Sequence, residues 1–232
     1  MKNIPIVVVF TFLFYSCLGT TEPPEEPNIF SLTITLLDAG QQYEVGGDTL
    51  RIITHKMIID SISVIKQGEE DERYEPRPLV ASYTHDGYAE YNSIGGGELS
   101  GGRFDGIRYS VITPSAEDIY FDDPVLIERH EDTGEITNIY SIAVIGLYNN
   151  RVFQFRSQVS RPVQYGFHET IEMPEFSGFL EARLRGNWKQ WFLNTNGDGL
   201  LDPNDPANRQ QIVENILKYF DIETITVEDF IR

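Results

Sequence analysis

Apolar and polar residues alternate along most of the chain, and the alternation predicts strands. Phe30, Leu32, Ile34 and Leu36 interleave with Ser31, Thr33 and Thr35, the period-two signature of a half-buried strand. Ile52, Ile53 and the β-branched run 58–65 predict more strand, as do Ile107, Tyr109 and Val111 on one face. The run 139–147 is apolar on both faces and predicts a central strand. The run 152–155 follows at once, and Val163, Tyr165 and Phe167 continue the pattern. Asp86-Gly87, Thr133-Gly134 and Asn149-Asn150 punctuate these runs with residues that tolerate the positive φ of tight hairpins. The charged, proline-containing stretch 66–78 predicts an exposed loop. Gly95, Gly96, Gly97, Gly101 and Gly102 predict a flexible connection, because no Walker lysine and no helix follow to make a phosphate cradle. Closely spaced strands without helices between them predict a mainly β fold, an antiparallel β-sandwich over 28–185.

The period changes after Leu184, and 186–232 predicts a short helical C-terminal segment. Trp188, Trp191 and Phe192 fall at i, i+3 and i+4, one face of a short helix over 187–193 that packs on the sandwich. Ile212, Val213, Ile216, Leu217 and Phe220 mark an amphipathic helix over 206–220, with Asp205 as N-cap and Pro206 at the first helical position.

Between these helices lies the stretch richest in chemistry. Counting Asn194 as position 1, side-chain oxygens stand at 1, 3, 5, 9 and 12: Asn194, Asn196, Asp198, Asp202 and Asp205. Gly199 occupies position 6, where the chain turns sharply, and Leu200 at position 7 offers its carbonyl. Calcium takes about six to eight hard oxygens, and alternate residues of a tight loop supply them. The loop resembles the single calcium loops of extracellular bacterial proteins such as dockerin-type repeats. It departs from the EF-hand pattern at Asn194, usually Asp, and at Asp205, usually the longer Glu. Calcium is therefore the expected cofactor, held by Asn194, Asn196, Asp198, Leu200, Asp202 and Asp205.

Charge and the chain start narrow the setting. With 36 Asp and Glu against 18 Lys and Arg, the net charge is −18, which argues against a nucleic-acid partner. Lys2 precedes the apolar run 4–15, too short for the roughly 20 residues of a membrane-spanning helix and suited to a secretory signal. That run ends at Ser16 and at Cys17, the one cysteine in the chain. The segment resembles a bacterial lipobox, with Phe14 where Leu is usual and Tyr15 in a small-residue slot. The resemblance implies a signal peptide over 1–16, lipidation of Cys17 and an outer-membrane location facing periplasm or surface. Residues 17–27, with three prolines, read as a tether. Glu25 and Glu26 resemble the surface-export signals of Bacteroidota lipoproteins.

Gly102-Arg103-Phe104-Asp105-Gly106-Ile107-Arg108-Tyr109 resembles a segment of secreted β-sandwich proteins. These include uncharacterised bacterial lipoproteins and periplasmic copper-binding proteins related to the methanobactin-binding partner. The resemblance implies a sandwich, and Asp105 and Arg108 read as residues orienting the start of a strand. The histidines His55, His85, His130 and His168 form no close pair and read as mostly exposed; Asp122-Asp123 and Glu69-Glu70-Asp71 read as solvated. No nucleophile elbow is present. The expectation is a non-enzymatic, lipid-anchored envelope protein that binds a protein or glycan partner. The alternatives are a copper protein using His with Met57 or Met173 near a Trp, and a carbohydrate-active or carbohydrate-binding protein.

Overall fold

The computed structural model describes residues 26–38, 40–74, 77–85 and 92–227. Cys17, the signal-like segment and the Asp86-Gly87 turn lie outside the described residues. Two sheets face each other across one core. The first contains β1 (Asn28–Leu36), β6 (Asn92–Leu99), β13 (Phe179–Gly186) and β14 (Phe220–Val227), in the order β14-β13-β1-β6. Its β1–β13 pair is parallel and its other pairs are antiparallel.

The second sheet is organised by β3 (Asp48–Lys66), a strand of 19 residues. One edge of β3 pairs with β10 (Ile142–Tyr148) and then with β7 (Gly102–Val111). Its other edge takes β2 (Tyr43–Val45), β5 (Leu79–Thr84) and β4 (Glu72–Tyr74). The outer strands are β11 (Arg151–Ser157) and β12 (Arg161–Met173). So long a strand serves several partners because it bends: Ser61 sits at φ 57° inside an irregularity where Asp60 and Ser63 oppose Ser110 and Arg108. A hairpin of β8 (Ile127–Arg129) and β9 (Ile136–Ile139) covers the outer face of this sheet. There Leu126, Ile127 and Ile139 pack on Ile58 and Ala143.

The expected mainly β sandwich is what the chain forms, and its inner face carries Phe30, Leu32, Ile34, Leu50, Ile52, Phe104, Tyr109 and Leu184, all essentially inaccessible. The Asn149-Asn150 turn has both residues at positive φ, 49° and 60°. The 139–147 run divides, since β9 ends at Ile139 and β10 begins at Ile142.

Three local expectations are corrected. The 66–78 stretch contains β4, because Tyr74 finds Phe30 across the core at a centroid distance of 5.1 Å. Gly95, Gly96 and Gly97 lie within β6, not in a loose connection. A Cβ on Gly96 would stand 2.2 Å from the Phe30 carbonyl, and one on Gly97 only 3.0 Å from the Tyr74 ring, so the glycines permit close strand and ring packing. The C-terminal helix stops at Lys218, and Phe220 opens β14 instead of ending the helix. The β-branched run Ile222, Thr224, Ile225 and Val227 fits strand geometry, and β13 offers it an edge to pair with.

Candidate functional site

The loop 194–205 joins α1 (Trp188–Trp191) to α2 (Arg209–Lys218), the latter preceded by a 3₁₀ turn at Pro206–Asn208. Trp188, Trp191 and Phe192 are fully buried, so the expected face packs on the sandwich. That packing fixes one end of the loop. The Asn215 amide, on α2, holds the same end by donating to the Trp191 and Leu193 carbonyls at 3.2 and 3.0 Å, and the Asn208 amide holds the other by donating to the Asp202 carbonyl at 3.1 Å. Gln211 reaches Thr195 at 3.1 Å.

The loop opens with a small hairpin. Asn194 N–H donates to the Gly199 carbonyl at 3.0 Å and Leu201 N–H to the Phe192 carbonyl at 2.7 Å. These bonds flank the Leu193–Leu200 bridge and leave the Leu200 carbonyl out of it. Asn194 Oδ1 accepts from Gly197 N–H at 2.8 Å and Asp198 N–H at 3.2 Å, while its Nδ2 donates to Asp198 Oδ1 at 2.8 Å. Asn194 and Asp198 are thus brought together, against the β2–β3 turn, where a Cβ on Gly46 would meet the Asp198 carbonyl at 3.0 Å.

Asp202 and Asp205 turn toward the second helix. Asp202 Oδ1 accepts from Asn204 N–H at 2.8 Å, and Asp205 Oδ1 accepts from Ala207 N–H at 2.9 Å as the N-cap expected of it. Among the described residues no three His, Cys, Asp or Glu side chains gather closely enough to share an ion. The three loop carboxylates therefore stand apart. The Asn196 side chain and the second carboxylate oxygens of Asp198, Asp202 and Asp205 make no hydrogen bond or ion pair among the described residues. The loop holds four unused side-chain oxygen ligands, plus the Leu200 carbonyl, on a backbone anchored at both ends.

The histidine expectation is corrected at His55. Its ring is fully buried in the core, 4.7 Å from the Trp191 ring and 5.9 Å from Phe220, centroid to centroid. Neither ring nitrogen has a hydrogen-bond partner among the described residues, and burial pushes its pKa down to about 3. The sequence carried a signal for this: His55, Met57 and Ile59 alternate in phase, all buried, and the residue type masked it. Met173 is also buried but lines a separate cleft with Leu99. The acidic pairs are more than solvated charge. Asp123 meets Lys56 at 2.5 Å, both mostly covered, and Asp71 meets Arg108 at 2.7 Å. Asp105 accepts from Gln67 at 3.1 Å and Thr170 at 2.7 Å, tying β7 to its neighbours.

No protein-family model and no curated protein matches the chain. Among solved structures it is similar to MbnP from Methylosinus trichosporium, at 6% identity and a TM-score of 0.36, over 87% of this chain and 99% of that one.

Proposed function

We propose that this chain is a non-enzymatic binding or assembly protein of the bacterial cell envelope. Cys17 carries its lipid anchor at the outer membrane, and the 194–205 loop holds one structural calcium ion. The observation that supports the calcium reading is the set of oxygens on Asn196, Asp198, Asp202 and Asp205 left unused among the described residues, together with the Leu200 carbonyl that the hairpin bonds leave out, on a loop fastened at both ends. Binding draws Asp202 and Asp205 inward from their contacts with Asn204 and Ala207. Neutralising three carboxylates as they are drawn together offsets those lost bonds. The ion then clamps α1 to α2, two elements whose buried faces belong to the same core.

The test is thermal melting in EGTA, 5 mM Ca²⁺ or 5 mM Mg²⁺. Extracellular calcium modules bind at about 10⁻⁴ to 10⁻³ M, so this calcium concentration stabilises by about 1–2 kcal/mol, a rise of several degrees for a domain of this size. Magnesium does less, since it demands tighter octahedral geometry. Equal melting in EGTA and Ca²⁺ makes the loop an ordinary polar turn. An undiminished calcium shift in Asp198→Ala moves the ion elsewhere.

A further inference from the structure

A cleft of about 640 Å³ is lined by Pro27 and by residues 98–102, 173, 175 and 176, none of them in the 194–205 loop. Its floor is Leu99 and Met173, both buried, with Gly101 and Gly102 contributing no side chains. Pro27 and Phe176 form its walls, and Phe176 is 40% exposed.

The loop that carries Phe176 is fastened. Asn28 is fully buried; its amide donates to the Pro174 carbonyl at 2.7 Å and accepts from Gly178 N–H at 2.6 Å. Ser177 N–H donates to the Glu26 carbonyl at 2.8 Å, and Ile29 N–H to the Gly178 carbonyl at 2.9 Å. Gly101 lets the β6–β7 turn press against the same loop, since a Cβ there would lie 2.7 Å from the Pro174 carbonyl. Phe176 is therefore held open to water by a loop with little freedom to fold it away. A rigid exposed aromatic over an apolar floor is the form of a binding anchor, because little ordering entropy remains to be lost on association.

The rim selects the partner by charge. Glu98 and Glu175 are exposed and make no ion pair among the described residues. The cations nearby are engaged: Lys66 with Glu69 at 2.8 Å and Ser100 at 2.7 Å, Arg103 with Glu172 at 3.3 Å. In a chain of net charge −18, this edge repels anionic lipid surfaces and attracts cations.

We propose that this cleft docks a cationic, apolar polypeptide segment, an aliphatic or aromatic side chain flanked by Lys or Arg, with Phe176, Leu99 and Met173 taking the apolar group and Glu98 and Glu175 the charges. This partner class rests on reading the chain as a binding protein and is independent of the anchor and of calcium.

The experiment is fluorescence anisotropy of the purified protein in EGTA with a labelled decapeptide of alternating Lys and Leu, at low and at physiological salt. The expected result is saturable binding that weakens at least tenfold in Phe176→Ala. Binding also falls in Glu98→Gln/Glu175→Gln with a shallower salt dependence, and is unchanged in Val152→Ala, an exposed site on β11. Melting curves confirm that each variant is folded. Unchanged affinity in Phe176→Ala, equal loss in Val152→Ala, or preference for an alternating Glu-Leu peptide or for phosphatidylglycerol vesicles overturns the proposal. Because EGTA is present throughout, failure here leaves the calcium reading to its own melting test.

Discussion

Acidification from pH 7.5 to 5.0 weakens this fold through one imidazole, and replacing His55 with Leu removes that weakness. His55 is enclosed by Trp191 and Phe220, with Tyr83 and Val144 opposite it on the neighbouring strands, and no charged group contributes to its shift. Its folded pKa is near 3, against an unfolded value of about 6.5. Between these values the unfolded chain binds a proton that the folded chain refuses, so stability falls as pH drops through the window and rises as pH climbs through it. Each pH unit inside the window is worth about 1.4 kcal/mol, and from pH 6.5 to 5.0 the loss reaches about 2 kcal/mol. The His55→Leu variant keeps similar volume, buries no unpartnered N–H and has no proton to bind. It is expected to match or exceed the wild type at pH 7.5 by about 1 kcal/mol, and to exceed it at pH 5.0 by about 3 kcal/mol. Urea titrations of both proteins at pH 7.5, 6.5, 5.5 and 5.0 measure the difference. Trp188 and Trp191 serve as reporters, since they are the chain's two tryptophans and both are buried, Trp191 against His55 itself. The remaining histidines and the carboxylates are common to both proteins and cancel in the difference. A stability difference that stays flat across this range refutes the reasoning, because the imidazole would then be meeting a proton-stabilising partner in the folded state.

The other expectations are simpler. Cys17→Ser removes the chain's only thiol, so incorporation of labelled fatty acid and retention in the membrane fraction are both lost; retention of label refutes the anchor. Asn28→Ala leaves the Pro174 carbonyl and Gly178 N–H without their partner and costs about 2–4 kcal/mol in urea unfolding, whereas an exposed control such as Val152→Ala stays within about 0.5 kcal/mol. Gly106→Ala places a Cβ 2.3 Å from the Tyr165 carbonyl and is expected to lower stability by about 1–3 kcal/mol, read as a fall in melting temperature of several degrees.

Features that depend on local periodicity and turn chemistry were legible in the residues alone. The 30–36 alternation, the Asn149-Asn150 hairpin, the aromatic face at Trp188, Trp191 and Phe192, and the Asp205 cap were all legible, because near neighbours set them. Features that depend on long-range pairing emerge only when distant strands meet. β14 forms because β13 presents an edge to pair with, and Gly96 and Gly97 join a strand because Phe30 and Tyr74 leave no room for side chains there. His55 goes inside because the rows on either side of it are apolar and the core imposes its phase on the whole strand, whatever the cost of an imidazole. In the loop, the spacing of oxygens was written in the residues, but their directions were not. Asn194 turns to backbone amides and Asp205 to the helix start, because nearby N–H donors capture whichever oxygen reaches them first. The Phe176 cleft has no signature in sequence at all: its floor, walls and rim come from residues 27, 98–102 and 173–176, which only the packing of β1, β6, β12 and β13 brings to one place.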